Sequence, residues 1–149
     1  MKNALRVGLV AGIGLAASAQ SFTNLDFESA TLIPLAGDPW NRVQFGPALP
    51  GWTGYCGTNV QTAVIYDGQF LDSAGISILD TNYTRDAMGG MLHRRYCALL
   101  QTGANLDGPG VVSTAIAQTG TVPANAKSIL FSAGPVTSSD LPPPHLNLN

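Results

Sequence analysis

The chain has 149 residues, of which 7 are basic and 9 acidic, so charge makes up 11% of it where roughly 25% is usual for a soluble domain. Its 17 glycines and 10 prolines sit beside an ordinary apolar share of 45%, and the formal net charge is −2. That balance excludes a disordered polyampholyte, a coiled coil and, for want of a basic field, a nucleic-acid-binding or anionic-membrane-binding protein, and it sets a ceiling of one domain.

In chain order, Lys2 and Arg6 form a short basic start, and an uncharged apolar run follows from Val7 to Ala17. Ala17-Ser18-Ala19 then puts small residues where a signal peptidase cuts. Residues 1–19 are expected to be a signal peptide cleaved between Ala19 and Gln20, and the protein to be exported: secreted, periplasmic or held at the cell surface. The run is too short for a transmembrane helix, which takes about 20 apolar residues, so no transmembrane span is expected in the mature chain. Cleavage leaves 5 basic against 9 acidic residues.

Residues 20–133 are expected to form one β-domain, because Gly, Pro, Thr, Ser and Asn interrupt every stretch before three helical turns are complete. Thr23-Asn-Leu-Asp-Phe-Glu-Ser29 alternates Leu25 and Phe27 with Asn24, Asp26 and Glu28, the pattern of a half-buried strand. A proline-rich stretch from Leu32 to Thr58 is expected to be irregular, and it holds Trp40, Phe45, Trp52 and Tyr55. Thr58 to Tyr66 alternates again and ends on the turn signal Asp67-Gly68. Ile76 to Leu79, Cys97 to Thr102, Val111 to Thr119 and Lys127 to Ser132 complete about six predicted strands, a spacing that suggests an antiparallel β-sandwich or jelly roll. Residues 134–149 read as a proline-rich tail.

The mature chain carries two cysteines, Cys56 and Cys97. Outside the cytosol they are candidates for a disulfide, which would close a long loop and stabilise by roughly 4 kcal/mol. The alternative is a pair of buried free thiols, since Cys97 opens the apolar run Cys97-Ala-Leu-Leu100.

Five motifs follow one another along the chain: Phe22-Thr-Asn-Leu-Asp-Phe-Glu28, Leu49-Pro-Gly-Trp-Thr-Gly54, Ile76-Ser-Ile-Leu79, Leu99-Leu-Gln-Thr-Gly103 and Ile116-Ala-Gln-Thr-Gly-Thr-Val-Pro-Ala124. In this order, after a signal peptide, they resemble the ectodomains of exported bacterial proteins of the PEP-CTERM sorting type and, more loosely, galactose-binding-like jelly rolls. The resemblance covers about residues 1–133. It implies a β-sandwich outside the inner membrane, in a setting of exopolysaccharide or biofilm matrix. The tail departs from the pattern: Pro142-Pro143-Pro144 stands where a Pro-Glu-Pro motif, an apolar span and a basic cluster would be, so no sorting role is expected of it. A jelly roll takes about eight strands, and the domain is expected to be incomplete at its C-terminus.

Catalytic parts are scarce. The histidines are His93 and His145, and no Gly-x-Ser-x-Gly, His-Glu-x-x-His, P-loop or Cys-x-x-Cys occurs. His93 lies in the basic cluster Leu92-His-Arg-Arg-Tyr96, which is expected to be a solvated loop, with contact to an acidic sugar or phosphate as the competing role. An accessory hydrolase would need a carboxylate pair or a histidine-centred triad converging in a cleft. Glu28 is expected to be a local structural group, so the protein is read as non-catalytic. Structural Ca²⁺, a minor expectation from the jelly-roll resemblance, would draw on Asp26, Glu28, Asp38, Asp67, Asp72 and Asp107, although no Asp-x-Asp-x-Asp-Gly loop is present. No other cofactor is expected.

The aromatics of the Gly/Pro-rich segments, Trp40, Trp52, Tyr55 and Tyr83, are the candidate ligand-binding residues, with packing over one end of the domain as the competing role for them. The expected function is an exported, non-catalytic protein of the cell surface or extracellular matrix that binds exopolysaccharide or another surface glycan. Its alternative is a structural spacer without a ligand, which buried Trp52 and Tyr55 would indicate.

Overall fold

Residues 21–83 and 94–134 are described by the computed structural model. The expected signal peptide with its Ala19–Gln20 cleavage point, His93, and the tail from 135 onward with His145 lie outside the described residues. The elements run β1 (Arg42–Gln44), the single-turn helix α1 (Phe45–Ala48), β2 (Thr53–Cys56), β3 (Asn59–Gln61), β4 (Ala63–Tyr66), β5 (Gly75–Asp80), β6 (Tyr96–Gln101), β7 (Gly103–Ala104), β8 (Val111–Val112) and β9 (Thr114–Ala117). The fold is all-β, and the strands just named pair antiparallel except β4 with β5.

β5 is buried along its whole length, and its sequence Gly-Ile-Ser-Ile-Leu-Asp is what a strand covered on both faces requires. It lies inside a four-stranded sheet of order β1-β4-β5-β6, with Ile65 opposite Ser77 on one side and Ala98 opposite Ile78 on the other. The outer edge of β1 is covered by the preceding chain. The N–H of Gln44 donates to the carbonyl of Ile33 and the N–H of Leu35 to that of Arg42, each at 2.9 Å. Pro34 faces Val43 across this bridge, an edge position where a missing N–H costs nothing.

A second sheet of order β3-β2-β9 packs on the first through Gly54, which is buried. A Cβ there would strike the Phe45 ring and come within 2.7 Å of Ile76 Cδ1. Val43, Phe45, Leu49, Val64, Ile76 and Ile78 form the centre of the core. No helix among the described residues is long and apolar enough to cross a membrane.

Several expected elements are corrected by the structure. Ile76 to Leu79 and Cys97 to Thr102 are strands within a residue of their predicted limits, but Thr23 to Ser29 is a pair of turns. Asn24 and Phe27 take positive φ values of 49° and 63°. The Asn24 side chain accepts the Ser29 N–H at 2.8 Å and Asp26 accepts that of Glu28 at 3.3 Å. Short polar side chains here capture backbone donors that a strand ladder would use.

Thr58 to Tyr66 is two strands in two sheets, not one. The chain changes sheet at Thr62, whose carbonyl takes the Phe45 N–H at 2.9 Å. Val111 to Thr119 divides in the same way at Ser113, whose carbonyl accepts from Gly57 at 2.8 Å. The stretch Leu32 to Thr58, expected to be irregular, contains β1, α1 and β2. Lys127 to Ser132 is no strand: it pairs with nothing among the described residues and leaves Ile129, Leu130 and Phe131 exposed. Its apolar run has no neighbouring edge or covered face to pay for ordering a strand.

Candidate functional site

The one candidate aromatic that the fold leaves bare is Trp40, 65% exposed. It stands in the turn that leads into β1, and Asp38 builds that turn. The carboxylate accepts the N–H groups of Trp40 at 2.9 Å and Arg42 at 3.3 Å through Oδ1, and the Arg42 Nε–H at 2.7 Å through Oδ2. An ion pair to Arg42 Nη2 at 2.6 Å completes the clamp, with the Asp38 side chain only 6% exposed. The hydrogen bond from Arg42, joined by those of the two backbone N–H groups and outweighing burial, holds the Asp38 carboxyl below its ordinary range. The Arg42 guanidinium carbon then lies 5.3 Å from the centre of the Trp40 ring, a cation–π contact. Asn41, with φ of 55°, donates its side-chain N–H to the Tyr66 carbonyl at 2.8 Å and ties the turn to β4.

Facing this turn is the connection from β4 to β5. Between the two lies a cleft of about 380 Å³ lined by Trp40, Arg42, Ile65, Asp67, Gln69 and Phe70, among others. Ile65 is buried yet stands outside the core cluster, because it alternates with Val64 along β4. Leu71, 91% exposed, sits at the rim. The connection is fastened at both ends. Phe70 lies where a Cβ on Gly75 would be, and its carbonyl accepts the side-chain N–H of Gln101. At the other end Asp67 accepts the Asp80 N–H at 2.7 Å, and its own N–H donates to the Ile78 carbonyl at 3.0 Å.

Asp80 is the buried anchor of that region. Its carboxylate accepts the Tyr66 hydroxyl at 2.8 Å and the N–H groups of Asn82 at 2.7 Å and Tyr83 at 3.4 Å. Burial works against its charge, but these donors outweigh it and hold the carboxyl below its ordinary range. Burial pushes Asp67 up, and burial with the hydrogen bond to Asp80 pushes the Tyr66 hydroxyl up. Asp67 accepts the Asp80 N–H at 2.7 Å, so the two acidic residues are neighbours at the ends of their strands. Their chemistry in this arrangement is to pin the ends of β4 and β5.

The other sequence candidates do not join Trp40. Trp52 stacks on Phe27 with ring centres 5.6 Å apart and donates its Nε1–H to the Asn24 carbonyl at 3.0 Å, a packing role. Tyr55, half-buried on β2, lines a separate shallow groove of about 270 Å³ with Thr53, Gln118 and Thr119. Tyr83 is half-buried beside Asp80. The disulfide candidates Cys56 and Cys97 are free thiols, on strands of different sheets. Burial, helped by Asp67, pushes Cys97 up to about 11 and, helped by Asp107, raises Cys56 as well.

The carboxylates considered for calcium are dispersed. Asp26 pairs with Arg94 at 2.6 Å, Glu28 accepts the Tyr96 N–H at 3.0 Å, and Asp107 accepts from the Asn59 side chain at 3.2 Å. Among the described residues, no three His, Cys, Asp or Glu side chains converge as a metal site. Arg94 and Arg95 of the basic cluster are exposed.

Sequence reasoning missed Arg42, Tyr66, Asp67 and Phe70 as parts of the site. The spacing Asp38-Pro-Trp-Asn-Arg42 does carry a signal: a carboxylate placed to accept N–H groups two and four residues on, with a base at the far end. Phe70 carries none, since only the fold brings it to face Trp40. Set against known proteins, the chain matches no family model, no curated protein and no solved structure.

Proposed function

We propose that this is an exported, non-catalytic protein of the cell surface or extracellular matrix that binds carbohydrate in the cleft beside Trp40. One observation carries the reading: an indole 65% exposed is nevertheless held by a turn with three hydrogen bonds and an ion pair to a single carboxylate. Keeping a large apolar ring in water on a rigid support has no packing benefit. It does prepare a flat surface for a pyranose ring, whose ordering cost on the protein side is already met. The cleft volume of about 380 Å³ lies within the range of small-ligand sites.

The expected signal peptide and the resemblance to PEP-CTERM-type ectodomains support a location among surface glycans. In this reading the two packed sheets belong to a β-sandwich of the jelly-roll kind. The spacer alternative draws on Trp52, whose stacking on Phe27 makes it a packing residue; Trp40 is what the spacer leaves without a role. A glycan array probed with the mature chain tests the proposal. Capture by at least one saccharide that Trp40→Ala abolishes is the expected result, and no capture, or capture indifferent to Trp40→Ala, would overturn it.

A further inference from the structure

Building on the carbohydrate-binding reading, we infer that the Trp40 cleft selects neutral saccharides and rejects uronic or sulfated ones. Arg42 is the cation in the cleft wall, and it is already engaged: Nε and Nη2 both reach Asp38 Oδ2, at 2.7 and 2.6 Å, and the guanidinium leans on the Trp40 ring. Asp67 brings a carboxyl to the same wall. Elsewhere among the described residues, Arg94 is paired with Asp26, the guanidinium of Arg95 lies over Tyr96 at 4.8 Å, and Lys127 is exposed outside the cleft lining.

Among the described residues lining the cleft, an acidic sugar would therefore meet one cation, Arg42, whose charge Asp38 already balances, and would face the Asp67 carboxyl. A sugar carboxylate drawn to the remaining Arg42 N–H groups would compete with Asp38 for the same guanidinium. The Asp38 carboxylate also holds the Trp40 and Arg42 N–H groups, so that competition would loosen the turn presenting the indole. A neutral pyranose meets none of these costs. Its C–H face suits Trp40 and Phe70, and its hydroxyls suit Gln69 and Ser73.

The test titrates the full mature chain with uncharged polysaccharides (dextran, galactomannan, hydroxyethyl cellulose) and with polyuronates (alginate, polygalacturonate) at matched ionic strength, following retardation in affinity electrophoresis. At least one neutral polymer is expected to bind tenfold or more tighter than either polyuronate. Asp38→Asn, which frees Arg42, is expected to narrow that gap through polyuronate binding that weakens with added salt. Wild-type preference for a polyuronate would overturn the selectivity and leave carbohydrate binding standing. Binding to neither class here, or on the glycan array, would overturn both.

Discussion

Asp38 and Arg42 are joined twice over, by a 2.7 Å hydrogen bond from Nε and a 2.6 Å ion pair from Nη2 to the same carboxylate oxygen, and Trp40 stands between them in the chain. The pair is local, four residues apart, so its removal should reshape the turn and leave the two sheets intact. Asp38→Ala is expected to change Trp40 emission and its quenching by iodide with little shift in the global unfolding midpoint. An unchanged quenching profile would show that the turn does not depend on the carboxylate.

The same pair fixes a pH response. The Asp38 carboxyl sits below its ordinary range in the folded chain, so its contribution is present above the unfolded value near 3.8 and is lost as pH falls through the lower folded value. Fluorescence of Trp40 followed on acidification should report that loss, and Asp38→Asn should abolish it.

Gly54 leaves no room for a methyl group between Phe45 and Ile76. Gly54→Ala is expected to destabilise by about 1 to 3 kcal/mol, the usual cost of overpacking, read as a fall in the urea midpoint. Ile78→Ala, in the centre of β5 with no exposed surface, is expected to cost about 2 to 5 kcal/mol.

Cys56 and Cys97 are expected to titrate as two thiols in denaturant without reductant, and finding none would contradict the structure. In the folded chain, Cys97 at about 11 instead of its ordinary 9.0 should react with a thiolate-directed reagent at pH 8 on the order of 100-fold more slowly than a free thiol. Because the folded value is raised, the stability linked to Cys97 is complete below pH 9 and is lost as pH rises towards 11.

How much of this was legible beforehand depended on element length and on what supplies the signal. β5 and β6 were readable because each is six residues long and carries an apolar run, buried throughout in β5 and half-buried in most of β6. β1, α1 and β2 were hidden among glycines and prolines because three or four residues are too few to show a period. Alternation misled at Thr23–Ser29, where Asn24 and Asp26 turn the chain through their own side chains, and a short apolar run misled at Lys127–Ser132, where no partner edge is present among the described residues. The sheet change at Thr62 breaks no alternation, so nothing in the sequence marks it. For the site, Trp40 could be nominated from its surroundings, but separating it from Trp52 required the stacking of Trp52 on Phe27.

Whether Trp40 serves as a saccharide platform is read from the affinity of wild type and Trp40→Ala for one bound polysaccharide, with circular dichroism and the thermal midpoint as controls. An anchoring aromatic is worth roughly 2 kcal/mol or more, so the account predicts a loss on the order of 30-fold with an unchanged fold. Affinity retained within about twofold in a folded Trp40→Ala variant would contradict it.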